Sequence, residues 1–159
     1  MITEIERKFL VGNAEWRDGA AGVRMAQGYL SLDPNRTVRV RLAGASAWLT
    51  IKGLTEGISR AEFEYEIPAA HAENLLKMCL PELVEKTRYR IYHHGYIWEV
   101  DVFHGENEGL IMAEVELSFE SDSPDLPPWD LTEVSKDPRY FNSYLASHPF
   151  KTWPALSKE

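Results

Sequence analysis

The chain has 159 residues, 44% of them hydrophobic and 26% charged, with 17 Lys and Arg against 25 Asp and Glu for a net charge of −8 at pH 7. That length supplies a core without disulfides or a structural metal, so residues 1–159 are expected to form one domain. The acidic balance argues against a duplex-nucleic-acid binder that neutralises phosphates, and no apolar run approaches the roughly 20 residues that cross a bilayer, so neither nucleic acid nor membrane is an expected partner.

Apolar and polar residues alternate with the period of two that marks a strand over 2–11. Asn13 then caps a short helical segment through Trp16 and Arg17. Strands follow at 23–32, 36–43, 46–53 and 59–67, joined by the turn formers Asp33-Pro34-Asn35, Ala43-Gly44-Ala45 and Thr55-Glu56-Gly57. Pro68 suits the first turn of a helix over 69–80, with Leu75, Leu76, Cys79 and Leu80 as its apolar stripe. Strands at 84–94 and 96–104 meet at His94-Gly95, and a last strand runs over 109–119. A surface connection, Ser121 to Pro128, leads to a helical tail over about 137–147 carrying Tyr140, Phe141, Tyr144 and Leu145 on one side. The fold class is α+β, mainly antiparallel β. Cys79 offers no disulfide framework, and Met1 to Lys8 lacks the apolar region of a signal peptide, so the expected location is cytoplasmic.

The polar faces of these strands are filled with charges, sorted by sign. Glu4, Glu6 and Lys8 share a face; so do Arg39 and Arg41; Glu62, Glu64 and Glu66; Lys86, Arg88 and Arg90; Glu99 and Asp101; and Glu114 and Glu116. For any one strand, a solvated face on an open sheet is the plainer reading. Across the set, rows of like charge need opposite charges or metal ions nearby, which weakens that preference; the sharper reading is a closed barrel with charges inside and helices outside. Carboxylates two apart on a strand, roughly 6.5–7 Å at the backbone, can converge on one hard cation such as Mg²⁺ or Mn²⁺. Arg and Lys rows suit the oxygens of a polyanion.

Glu4-Ile5-Glu6-Arg7-Lys8 resembles the ExExK signature of the CYTH superfamily, the triphosphate tunnel metalloenzymes. The order that follows is similar too: Gln27-Gly28-Tyr29-Leu30, Val38-Arg39-Val40-Arg41, Thr50-Ile51-Lys52, Glu62 to Glu66, Lys86-Thr87-Arg88-Tyr89, Glu99-Val100-Asp101, and Gly109-Leu110 leading to Ala113-Glu114-Val115-Glu116. These motifs span residues 2–119, and Tyr140 and Asn142 extend the likeness into the tail. The resemblance implies an eight-stranded tunnel that binds a small-molecule triphosphate with divalent cations, two per loaded site, and cleaves a phosphoanhydride bond. It implies Glu4, Glu6, Glu114 and Glu116 as metal ligands, with Glu62, Glu64 and Asp101 as secondary candidates. Lys8, Arg39, Arg41, Lys52, Lys86 and Arg88 would hold phosphates, and Lys8 with Tyr29 would form a catalytic pair; without the resemblance Tyr29 reads as a core residue.

No P-loop occurs, the five histidines lack zinc-ligand spacing, and the tryptophans read as packing residues. Arg7, Arg24 and Arg60 are assigned to the surface. The favoured substrate is inorganic tripolyphosphate. An organic triphosphate (for a thiamine triphosphatase, a nucleoside triphosphatase or a class IV adenylyl cyclase) and a non-catalytic polyphosphate-binding module are the alternatives. A cyclase should carry a His-Phe pair shortly before the ExExK, and Glu4 leaves no room for one. A homodimer is allowed, and the tail either closes a tunnel mouth or packs outside it.

Overall fold

The structure is a computed structural model that describes residues 2–154. Eight long strands follow the alternating runs: β1 (Ile2–Val11), β2 (Gly22–Ser31), β3 (Arg36–Ala43), β4 (Ser46–Gly53), β5 (Ser59–Ile67), β6 (Leu80–His93), β7 (Tyr96–Phe103) and β8 (Ile111–Glu116). Their sheet order is β5-β4-β3-β2-β6-β7-β8-β1, and an antiparallel β1–β5 pairing closes it into a barrel. Closure pairs the two strands that an open sheet would leave at its edges.

A short ninth strand, β9 (Leu131–Glu133), explains how β1 is held. One edge of β1 pairs with β5 over residues 2–5 and with β9 over residues 9–11, while the opposite edge pairs with β8 over residues 6–10. Three residues after a proline-rich connection are too short to show a period of two, so β9 is invisible to pattern reading.

Residues opposite one another on neighbouring strands point to the same face. The register therefore places Lys8 beside Glu114, Glu114 beside Glu99, Arg88 beside Asp101, Arg39 beside Thr50, Lys52 beside Glu62, and Glu4 beside Arg60. All of these line the lumen. Much of the outer face is apolar and covered, although Phe63 and Tyr65 of β5 stay exposed: helix α1 (Ala69–Leu76) lays Ala72, Leu75 and Leu76 over Val40, Ala47 and Leu49. Trp16, on a 3-10 turn at Glu15–Arg17, and Trp129 join Phe9, Trp98, Val100 and Val115 on the other side.

Toward one end of the lumen the charges give way to Val84, Phe103 and Met112, each two residues from a charged lumen residue. Helix α2 (Asn142–Ser147) and the flanking 3-10 turns bring Tyr140, Leu145, Phe150 and Trp153 onto this apolar end. Asn107 Oδ1 accepts the Phe150 amide at 2.8 Å, and Trp153 Nε1 donates to the His148 carbonyl at 2.9 Å. The tail thus closes the barrel end rather than lying along its wall.

Three boundaries differ from expectation. The helix expected over 69–80 ends at Leu76, because Leu80 is drawn into β6 by pairing with Tyr29 of β2, where it is exposed. The expected strand 109–119 covers only Ile111–Glu116, since Ser118 and Phe119 turn away with their amides on the Asp122 carboxylate. The tail is a 3-10 turn at Pro138–Tyr140 followed by α2, with Phe141 extended between them and its ring facing Lys8 and Arg60 at 5.1 and 5.7 Å.

Gly28 of β2 marks where β2 and the segment after α1 touch. A Cβ there would stand 2.7 Å from Cys79 Cβ and 2.8 Å from Leu83 Cδ2. Only glycine lets the chain approach so closely.

Candidate active site

A chamber lies in the middle of the lumen, between the carboxylates of β1 and β8 and the cations of β3, β4 and β6. Its free volume is about 30 Å³, because ion pairs across the lumen fill it. Lys8 Nζ stands 3.6 Å from Glu6 and 3.7 Å from Glu114. Lys52 Nζ meets both oxygens of Glu4 at 3.0 and 2.9 Å, and Glu62 at 3.4 Å. Arg39 reaches Glu64 at 3.6 Å and the Thr50 hydroxyl at 3.3 Å.

Lys86, Arg88 and Asp101 form the most tightly bonded group. Asp101 accepts two bonds from Arg88 at 2.7 and 2.9 Å and lies 2.8 Å from Lys86 Nζ. Arg88 also bridges Glu99 at 3.3 Å and Glu114 at 3.9 Å, which relieves the direct opposition of those two carboxylates.

The pairing sets the protonation states. Burial raises the Asp101 carboxyl, but Lys86 and Arg88 outweigh it and hold the group well below the usual carboxylate range. Glu4 is held low in the same way by Lys52, against burial. Glu6 behaves oppositely: burial, with Glu114 nearby, pushes it up to about 7 despite Lys8. Burial and the adjoining Glu4 push Glu62 up to about 7. Lys8 stays above its ordinary range because Glu114 and Glu6 outweigh burial. Burial, with Arg39 and Arg88 close by, pushes Arg41 down to about 9.

Two features of the side chains suit an anion and a cation. Arg39 Nε is buried without a hydrogen-bond partner, and Arg41 has no carboxylate within 4.0 Å among the described residues. Conversely, Glu6 lies directly opposite Glu116, and among the described residues no cation stands within ion-pair distance of Glu116. Burial, with Glu4 and Glu99 near, raises Glu116 as well. An all-oxygen pair with raised pKa values fits a hard divalent cation. As arranged, no three acidic or histidine side chains of the described residues converge as a ready metal centre, because Lys52 and Lys8 occupy Glu4, Glu6 and Glu114.

Of the residues expected in the lumen, Glu6, Lys8, Tyr29, Arg39, Arg41, Lys52, Lys86, Arg88 and Glu114 line the chamber and Glu4 borders it, whereas Glu64, Glu66 and Arg90 are exposed. Lys8 and Tyr29 both line the chamber, but no hydrogen bond joins them. Glu116 sits at an exposed rim. Arg60 corrects the sequence reading: it is no surface charge but lines the chamber, 3.4 Å from Glu4. Its parity with Glu62, Glu64 and Glu66 was the available signal. Gln27 and Asn142 were also missed as site residues, being uncharged. Beyond Arg60 and Thr37 the chamber adjoins a groove of about 610 Å³ walled by Leu32, Leu54, Phe141 and Tyr144.

A family model described as the CYTH domain matches residues 3–141. The chain is 45% identical over 154 residues to an inorganic triphosphatase of Acetivibrio thermocellus, covering 96% of this chain and 99% of that one. It is 39% identical over 150 residues to an inorganic triphosphatase of Nitrosomonas europaea, covering 91% and 97%. A crystal structure of the inorganic triphosphatase NE1496 superposes with a TM-score of 0.63 at 36% identity, over 89% of this chain and 96% of that one. The fold is also that of HpAC1 from Hippeastrum, at TM-score 0.59 and 15% identity over 73% of this chain and 80% of that one. The closed charged barrel, the match over residues 3–141 and the near full-length relatives place the chain in the CYTH family.

Proposed function

We propose that the chain hydrolyses inorganic tripolyphosphate in its tunnel, releasing orthophosphate and pyrophosphate. The observation that carries this reading is the lumen itself: carboxylates on β1 and β8 face cations on β3, β4 and β6, with Arg39 Nε unbonded and Arg41 uncompensated. An elongated polyanion with hard cations matches that cross-section. The two relatives named inorganic triphosphatase support the choice of substrate.

Substrate entry exchanges partners. Phosphate oxygens attract Lys52 and Lys8, whose carboxylates Glu4, Glu6 and Glu114 are then free to hold divalent ions together with Glu116. We assign Mg²⁺ or Mn²⁺, two per loaded site; bound there, such ions neutralise phosphate charge and acidify water. Arg39, Arg41, Lys86 and Arg88 hold the equatorial and bridging oxygens and stabilise charge as it shifts in the transition state. Water attacks the terminal phosphorus in line with the bridging oxygen, the P–O bridge breaks with its electron pair on the pyrophosphate leaving group, one proton of the water stays on the new orthophosphate hydroxyl, and the other passes to the leaving pyrophosphate oxygen. Lys8, kept protonated by its carboxylate neighbours, stabilises that leaving oxygen, with Tyr29 on the facing wall as the second catalytic group.

Glu62 and Glu64 neutralise Lys52 and Arg39 before substrate arrives, and Asp101 fixes Lys86 and Arg88. The apolar groove beyond Arg60 favours a second reading, an organic triphosphate whose ring lies against Phe141 and Tyr144. Phosphate release from tripolyphosphate, ATP and thiamine triphosphate, each with Mg²⁺, Mn²⁺ or chelator, separates the two. Metal-dependent release greatest from tripolyphosphate supports the first reading, a preference for an organic substrate supports the second, and no release from any overturns both.

A further inference from the structure

The cations of the lumen are not all compensated in the same way. Lys8, Arg39, Lys52, Arg60, Lys86 and Arg88 each have a carboxylate within 4.0 Å. Arg41 has none among the described residues; its guanidinium Nε donates to the amide oxygen of Gln27 at 3.0 Å. Gln27 is itself fully buried, and its Nε2 donates to Asn142 Oδ1 at 2.9 Å. Asn142 Oδ1 also accepts from Lys86 Nζ at 2.9 Å.

The direction of this chain is fixed by its ends. Arginine and lysine side chains only donate hydrogen bonds. Lys86 therefore requires the Asn142 oxygen, and Arg41 requires the Gln27 oxygen. That leaves the Gln27 NH₂ facing Asn142, where it finds the same oxygen that Lys86 uses. Both amides thus turn their acceptors to cations and keep no negative charge of their own.

We propose that Gln27, braced by Asn142, is a positioning residue that orients Arg41 while leaving its charge uncompensated, so that the substrate's phosphate becomes its counter-ion. A carboxylate at position 27 would hold Arg41 as well, but would saturate it. An amide fixes the guanidinium through a neutral bond of modest strength, which an incoming phosphate can outcompete. Because Asn142 opens helix α2, docking of the tail at the closed end is joined through the same two amides to the orientation of Arg41 and Lys86.

This inference rests on the tripolyphosphatase reading, and the test separates the two. Gln27→Glu preserves size and the bond to Arg41 but gives up the donor to Asn142 Oδ1. It is expected to raise KM for tripolyphosphate at least about tenfold with a smaller change in kcat, because a charge-assisted pair must now be broken on binding. The thermal shift produced by tripolyphosphate should shrink. In an Arg41→Gln background, Gln27→Glu should add little further loss, since its effect runs through Arg41. Unchanged KM and an unchanged thermal shift in Gln27→Glu would overturn the role of Gln27 while leaving the activity intact. An equal further loss in the Arg41→Gln background would overturn it too, by showing plain repulsion of the substrate. A wild-type chain that leaves tripolyphosphate uncleaved would instead overturn the activity on which the role depends.

Discussion

Glu6 of β1 stands directly across from Glu116 of β8, and no cation lies within ion-pair distance of Glu116 among the described residues. Two carboxylates facing across strands repel, and of these two only Glu6 has a cation beside it, Lys8 at 3.6 Å. Burial and Glu114 push Glu6 up to about 7, so Glu6 takes a proton at mildly acidic pH.

The pH dependence follows from that sign. Glu6 titrates near 7 in the folded chain against an ordinary value of 4.5, so its proton stabilises the fold fully below about 4.5 and that contribution is lost as pH rises through 7. A divalent ion needs the unprotonated carboxylate, so its binding strengthens over the same rise. Melting temperatures with and without Mg²⁺ should therefore separate more at pH 8 than at pH 6. Glu6→Ala should abolish that separation and lower turnover by about 100-fold or more, with the fold intact. Equal metal-induced shifts at both pH values would remove Glu6 from the ligand set.

Asp101 is predicted to serve stability first. It is fully buried and bonded to both Lys86 and Arg88, so Asp101→Ala leaves the buried Lys86 without a carboxylate within 4.0 Å among the described residues and Arg88 with only Glu99 and Glu114. The expected loss is about 3–5 kcal/mol in urea unfolding. A change within experimental error would mean that the three charges are not coupled as the geometry indicates.

Arg60 is predicted to join the phosphate-binding set. Its guanidinium lies at the junction of the chamber and the apolar groove, 3.4 Å from Glu4 and over the Phe141 ring. Arg60→Gln should raise KM for tripolyphosphate by about tenfold while leaving the melting temperature nearly unchanged, as expected for one charge-assisted phosphate contact. Kinetics indistinguishable from wild type would return Arg60 to a purely structural pairing with Glu4.

Gly28 provides a test of the fold. An alanine Cβ there would overlap Cys79 and Leu83, whose nearest atoms lie 2.7 and 2.8 Å away, so Gly28→Ala should cost about 1–3 kcal/mol. Denaturant midpoints measure it, and tolerance of alanine would show that the segment after α1 yields easily.

The sequence by itself determined the strands and the face each charge occupies, because a period of two is a local property of an extended chain. It also determined the charge rows from Glu4 to Glu116, and with them the match to the family motifs. Glu99 and Glu114 could be placed on inner faces from parity alone, and Arg60 could have been. Tertiary structure alone decided which charges meet. Lys52 reaches Glu4 in addition to Glu62 of its own hairpin because β1 and β5, distant in sequence, close the barrel. The same holds for the tail: Tyr140 to Trp153 seals the end because Val84, Phe103 and Met112 leave apolar surface there, which only the assembled barrel creates. The Gln27–Asn142 bond spans 115 positions and involves no charge, so nothing in the local pattern marks it. Its place is set by the packing of α2 on the closed barrel, which buries both amides beside cations that can only donate.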